Sequence, residues 1–186
     1  MRYKSYATCA CQKRVQEIYE KSFPKDEKFP FWVLKQCEKE PNVRLDAIIN
    51  HDKDSIVGMR FLVNYDDITY LMYFAIDELY RNKGFGSRAL QDLVIQREVI
   101  LLCVERSITK LNDIKLHRKK FYLRNGFYET GIFIEDSGVE YEFLSSSKER
   151  IITEDDLKKR YLSMTRNPFI RFVIRHTFDE IPHFIV

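Results

Sequence analysis

The chain has 186 residues, 45% of them apolar and 32% charged, with a formal net charge of +3. This balance describes a globular chain able to bury a sizeable core and excludes a low-complexity or disordered one. The small positive excess makes no case for nucleic acid, a membrane or an acidic partner, and no apolar window reaches the length of a membrane helix.

The first seven residues, "MRYKSYA", read as a short strand. "TCACQKRVQEIYEKSFP" reads as a helix capped by Thr8, with Cys11, Val15, Ile18 and Tyr19 on one side and Pro24 after its end. "PFWVLKQCEKE" is a second helix stopped by Pro41, and its Trp32, with Phe29 and Phe31, is expected to pack it on a sheet. Three strands come next, "VRLDAIIN", "SIVGMRFLV" and "ITYLMYFAI", separated by the turns "HDKD" and "NYDD". Turns this short favour antiparallel neighbours. The third run is nearly all apolar or aromatic, as in a central strand covered on both faces.

After Ile76, "SRALQDLVIQ" spaces Ala89, Leu90, Leu93 and Val94 as a third helix, and "VILLCVE" reads as a buried strand. "LNDIKLHRKKFYLRNGF" is a fourth, basic helix stopped at Asn125-Gly126. "YETGIFIE" and "VEYEFL" form a hairpin around "DSG". The order β-α-α-β-β-β-α-β-α-β-β is that of an α/β domain over 1–144, with a mixed, mostly antiparallel central sheet flanked by helices. The segment 145–186 reads as a C-terminal extension that packs on the core or forms a homodimer contact. It opens with a helix capped by Thr153, and its end, "PFIRFVIRHTFDEIPHFIV", reads as a short strand or packed tail.

Cys9, Cys11, Cys37 and Cys103 form no C-x-x-C pair and read as thiols, most of them buried. His51, His117, His176 and His183 are dispersed, so no metal site is expected. The N-terminus shows no apolar leader, which makes a reducing cytoplasm the expected setting.

The stretch most informative about function is "LYRNKGFGSRAL", lying between a buried strand and a helix. The first amides of a helix lack intrahelical acceptors, and glycines allow a tight turn and a close ligand. Oriented N–H groups and the helix dipole favour an anion, and Arg81 and Lys83 add positive charge. A phosphate or pyrophosphate ligand is therefore expected. The G-x-x-x-x-G-K-[ST] loop of nucleotide triphosphatases is absent, and the strand order disagrees with the dinucleotide-binding βαβ unit.

Arg81-Asn82-Lys83-Gly84-Phe85-Gly86 resembles the Arg/Gln-x-x-Gly-x-Gly/Ala motif of the GCN5-related N-acetyltransferase (GNAT) superfamily, and "FYLRNGFYETG" resembles a second segment of that family. The resemblance covers roughly residues 1–144. It implies the family's acyl-CoA N-acyltransferase fold and acetyl-CoA as cosubstrate, without a metal. Amides from Asn82 through Ser87 would cradle the coenzyme A pyrophosphate, and Arg81 would stabilise that region or brace the loop. The backbone of Phe74 and Ile76 would bind the pantetheine arm like an added strand.

The implied reaction is acetyl transfer to a primary amine, on a small molecule or a protein, by direct attack in a ternary complex. Tyr122 stands where relatives often place the tyrosine that protonates the departing thiolate. The glutamate that many relatives carry on the fourth strand is missing. Asp67, Asp77, Glu140 and Glu142 are candidates to replace it, with Tyr70 or Tyr73 as groups that orient a water or the acceptor, or with an amine that arrives already neutral. Relatives also often place an asparagine where this chain has Lys115, with Asn112 three residues earlier. Lys115, Arg118, Lys119 and Lys120 read as a solvated basic face, or as partners of the 3'-phosphate of coenzyme A. The missing carboxylate also leaves a noncatalytic acyl-CoA-binding or sensor module as an alternative.

Overall fold

The computed structural model describes residues 1–10, 12–52, 54–106, 114–136 and 138–177, and the backbone of 183–185. Alternating and continuous apolar runs assemble into one sheet. Its strands are β1 (Arg2–Ser5), β2 (Val43–Asn50), β3 (Ser55–Tyr65), β4 (Ile68–Ile76), β5 (Val99–Glu105), β6 (Tyr128–Asp136), β7 (Val139–Ser145) and β8 (His183–Ile185). The spatial order is β1-β2-β3-β4-β5-β7-β6-β8, and every pairing is antiparallel except β4 with β5. Six α-helices cover it among the described residues: α1 (Gln12–Ser22), α2 (Phe31–Cys37), α3 (Phe85–Gln96), α4 (Ile114–Arg124), α5 (Glu154–Leu162) and α6 (Pro168–Thr177).

The two faces have separate cores. Val15 and Ile18 of α1, Leu34 of α2, Leu157 of α5 and Ile170 of α6 pack with one face. Leu90 and Leu93 of α3 and Tyr122 of α4 pack with the other. Each such Leu or Ile side chain, fully buried, contributes about 1.5–3 kcal/mol.

Two irregularities in the central strands open the sheet and sort its side chains. First, β4 pairs with β5 only from Ile68↔Val99 to Tyr70↔Leu101, while β3 follows β4 to Ile76 and β7 follows β5 to Glu105. The two central strands therefore part after one short parallel stretch. Second, Phe61 faces Tyr73 and Leu62 faces Leu71, so Met72 is an extra residue in β4. A bulge of this kind breaks the two-residue alternation. As a result Tyr70 and Tyr73 both join the core under α1 and α5, while Leu71 and Phe74 turn to the α3–α4 face.

Several local expectations are corrected. Thr8 does not cap α1: it lies in a 3₁₀ turn over Tyr6–Thr8, and its hydroxyl donates to the Ser5 carbonyl at 3.3 Å. Threonine side chains offer the backbone such local alternatives to a helix. Cys11 lies outside the described residues. Cys9 is in a disulfide, and Cys37 and Cys103 are free.

The predicted helix after Thr153 forms, with a capping box between Thr153 and Asp156. The segment read as a strand or packed tail instead opens as α6. The Asn167 side chain accepts from the amides of Phe169 and Ile170 at 2.9 and 3.2 Å. Pro168 then stands at the first helical position, where its missing N–H costs nothing. Trp32 is also corrected: it is 43% exposed and stacks on Phe169 of α6, while its neighbours Phe29 and Phe31 are buried.

Candidate active site

The parting of β4 and β5 opens a cavity of about 1100 Å³, lined from both faces of the sheet. On the α3–α4 face its wall begins with the glycine loop. Asp77 ends β4 as the cap of a 3₁₀ turn, accepting from the Leu79 amide at 3.0 Å, and pairs with Arg14. The Arg81 Nε donates to the Ile76 carbonyl at 3.0 Å, so Arg81 braces the loop against β4. Asn82 and Gly84 take left-handed backbone angles, with φ of 59° and 79°. Glycine meets no steric penalty there, whereas an asparagine can reach the region at modest cost.

Gly84 is the N-cap of α3, and its carbonyl accepts from the Arg88 amide at 3.1 Å. The amides of Phe85, Gly86 and Ser87 therefore lie ahead of the first intrahelical bond. Arg81, Asn82, Gly84, Gly86 and Ser87 line the cavity, as do Phe74 and Ile76. Lys83 and Phe85 are not lining residues. Lys83 reaches back to the Leu79 carbonyl at 2.7 Å, and the Phe85 ring packs edge-on to Tyr80 at 5.9 Å. Gly86 has a packing reason beside any ligand: a Cβ there would stand 3.1 Å from the Phe121 ring.

Tyr122 lines the cavity from α4 and is 8% exposed. Its ring packs edge-on to Phe121 and Phe127, at 5.4 and 5.7 Å. Burial pushes its phenol up to about 12, with Arg118 opposing and Cys103 adding slightly. The group is thus a neutral donor at ordinary pH. Its hydroxyl makes no hydrogen bond among the described residues.

The basic helix keeps Lys115, Arg118 and Lys120 at the surface, as expected, but three of its cations are also ion-paired. Lys115 and Arg118 hold the two oxygens of Glu105 at 3.2 and 2.8 Å, and Lys119 bridges Glu142, at 2.6 Å, and Glu129. These pairs sew α4 to the edges of β5, β6 and β7. Arg118, Lys120 and Arg124 line the cavity mouth. Asn112 lies outside the described residues.

The carboxylates put forward from sequence are engaged elsewhere. Asp67 is held by Arg150 at 2.8 Å, Glu140 by Arg106 at 3.0 Å, Asp77 by Arg14 and Glu142 by Lys119. None of the four lines the cavity. The carboxylates that do are Glu27, Glu105 and Asp136. Asp136 is 3% exposed, accepts the Tyr161 hydroxyl at 3.1 Å and lies 3.8 Å from Arg160. Tyr141, Arg160 and Tyr161 also line the cavity and were not singled out from sequence. They come from β7 and α5, and only the sheet order brings them beside β4. Among the described residues no group of three or more His, Cys, Asp or Glu could hold a metal, and no helix is long and apolar enough to cross a membrane.

Burial raises the pKa of Tyr19, Tyr70, Tyr73, Tyr141 and Tyr161 as well as Tyr122. In the unfolded chain these phenols ionise near 10. A raised folded pKa means that the stabilisation is complete below about pH 10 and is lost as pH rises toward the folded value. For Tyr122 that window is about pH 10 to 12. The urea midpoint is expected to hold up to about pH 9.5 and then to fall steeply, with the phenolate absorbance of the buried tyrosines appearing together with unfolding. Titration of all the tyrosines near pH 10 in a chain that stays folded would contradict this burial.

Residues 44–129 match the model of a family described as "Acetyltransferase (GNAT) domain". No curated protein matches the chain. Among solved structures, a protein assigned to the GNAT acetyltransferase family from Bacteroides thetaiotaomicron superposes with a TM-score of 0.71 at 21% identity, over 87% of this chain and 96% of its own. An aminoglycoside 6'-N-acetyltransferase solved with coenzyme A gives 0.62 at 15% identity, over 82% and 98%. A Bacillus subtilis acetyltransferase solved with CoA gives 0.54 at 14% identity, over 77% and 96%.

Proposed function

We propose that this chain, a member of the GNAT superfamily, transfers an acetyl group from acetyl-CoA to a primary amine by direct attack within a ternary complex. The observation that carries the reading is the juxtaposition, in one cavity, of the leading edge of α3 and the parted strands β4 and β5. The residues suit the coenzyme. Amides at Phe85, Gly86 and Ser87 precede the first helical bond and suit a diphosphate. The edge of β4 beyond Tyr70 is released from β5, which leaves backbone groups for the amides of a pantetheine arm. Lys120 and Arg124 offer charge for the nucleotide end.

Acetyl-CoA would supply an activated thioester carbonyl. The chain's own part is to position, to exclude water and to deliver one proton. The acceptor enters as the free amine and its nitrogen forms a bond to the acetyl carbon as the C–S bond breaks. The Tyr122 hydroxyl gives its proton to the thiolate, and the one surplus proton on nitrogen passes to cavity water, which returns a proton to the phenolate, so that no net proton is released. Glu105 has both oxygens occupied by Lys115 and Arg118, so we assign it to holding α4 on β5. The extension 145–186 belongs to the same working unit in this reading, because α5 contributes Arg160 and Tyr161 to the cavity.

The test pairs calorimetry of acetyl-CoA binding with a mass-detected screen of amines. Binding with turnover is expected. The kcat/KM for the amine should rise with pH to the amine's own pKa, without a descending limb from Tyr122 below about pH 10. Tight binding without product from a broad panel would favour a noncatalytic acyl-CoA-binding module, and no binding would remove the reading altogether.

A further inference from the structure

The half of the cavity facing α1 and α5 has a composition that restricts the acceptor. This inference rests on the acetyl-transfer reading. We infer that the acceptor is a monoamine borne on a flat aromatic or apolar body, not a polycation.

The walls are rings. The bulge at Met72 turns both Tyr70 and Tyr73 toward this half, where Phe23, Phe29, Tyr141 and Tyr161 also line it. Phe23 meets Tyr73 edge-on at 4.9 Å, and Phe29 meets Tyr161 edge-on at 6.2 Å. Several hydroxyls are occupied within the protein. Tyr73 accepts from the Phe29 amide at 3.1 Å, Tyr70 shares a contact with the Cys103 sulfur at 3.2 Å, and Tyr161 donates to Asp136. What remains for a ligand is chiefly the half-buried rings of Phe23 and Tyr141 over a base of buried rings, which favours a flat apolar partner.

The charges argue the same way. Both oxygens of Glu105 are held by cations, and Asp136 faces Arg160. Arg160 is 1% exposed, and its Nε is buried without a hydrogen-bond partner, so the floor of the chamber already holds a cation short of acceptors. Lys21 and Glu27 add one group of each sign to the lining. A polyamine or an aminosugar with several ammonium groups would have to desolvate each of them against a lining whose carboxylates are Glu27, Glu105 and Asp136, the last two already facing cations. A monoamine escapes this cost, because its single nitrogen must be neutral to attack.

The experiment is a steady-state comparison with acetyl-CoA as donor and four acceptors: 2-phenylethylamine, tyramine, spermidine and kanamycin, with a lysine-containing peptide as a fifth. Thiol release is followed and the products are weighed by mass spectrometry. The aromatic monoamines are expected to exceed the others in kcat/KM by roughly 30-fold or more. Tyr141→Ala, which removes one ring from the wall, should raise KM for the aromatic amines by roughly 10-fold and leave KM for acetyl-CoA unchanged. Phe23→Ala serves as a second, independent removal. Preference for spermidine, kanamycin or the peptide, or an unchanged aromatic KM in both folded variants, overturns this inference and leaves acetyl transfer standing. Absence of product from every amine, with acetyl-CoA binding seen by calorimetry, overturns the acetyl-transfer reading itself and this inference with it.

Discussion

Tyr122→Phe is expected to lower the rate of the chemical step roughly 100-fold or more, with little change in KM for acetyl-CoA. The expected size is that of losing a positioned general acid. The alternative role, ring packing, predicts almost nothing, because phenylalanine keeps the edge-on contacts with Phe121 and Phe127. The lost hydroxyl makes no hydrogen bond among the described residues, so the substitution leaves none of them without its partner. The melting temperature should therefore stay near that of the parent. Burial holds the phenol up to about 12, which keeps the proton on oxygen throughout the working range. Single-turnover kinetics with a saturating amine measure the step directly, so that product release cannot hide the effect. An unchanged single-turnover rate would remove Tyr122 from the mechanism.

The second large effect is expected at Gly84. Its φ of 79° lies where a residue with a Cβ pays about 1–2 kcal/mol, and a β-branched one more. No atom beyond its neighbours stands within 4 Å of an added Cβ, so the penalty of Gly84→Val is in the backbone and not in a clash. The chain relieves it most readily by rotating the peptide that begins α3, which re-aims the amides of Phe85, Gly86 and Ser87. The dissociation constant for acetyl-CoA should rise roughly 30- to 100-fold, or about 2–2.7 kcal/mol. The loss should depend on the diphosphate. Acetyl-pantetheine, which has none, should bind parent and variant alike. Equal weakening of both ligands would show that the loop does not hold the diphosphate.

A third relation, between the two central strands, bears on both effects. Tyr122 and the α3 amides face one cavity because β4 and β5 separate after Tyr70 and Leu101. The bulge at Met72 divides the aromatic side chains of β4 between the two faces. Phe74 then lines the α3–α4 side, while Tyr70 and Tyr73 line the side facing α1 and α5.

The sequence alone determined the order of strands and helices over most of the chain, because each element carries its own periodicity and punctuation. The glycine loop was legible for the same reason: a turn and a helix start are written in adjacent residues, and Gly84, Gly86 and Ser87 could be placed by counting. Helix α6 was legible in principle, since Asn167 and Pro168 mark its start, but its aromatic and β-branched content reads equally well as strand. Only the tertiary structure decided which carboxylates face the cavity. Asp67 and Glu142 look available in the sequence and are paired with Arg150 and Lys119, whereas Asp136 looks like part of a hairpin turn and lines the cavity. Local pattern reports which face of its own element a side chain takes. It does not report which distant cation is nearby, or where two strands separate, because both depend on how segments remote in sequence pack together.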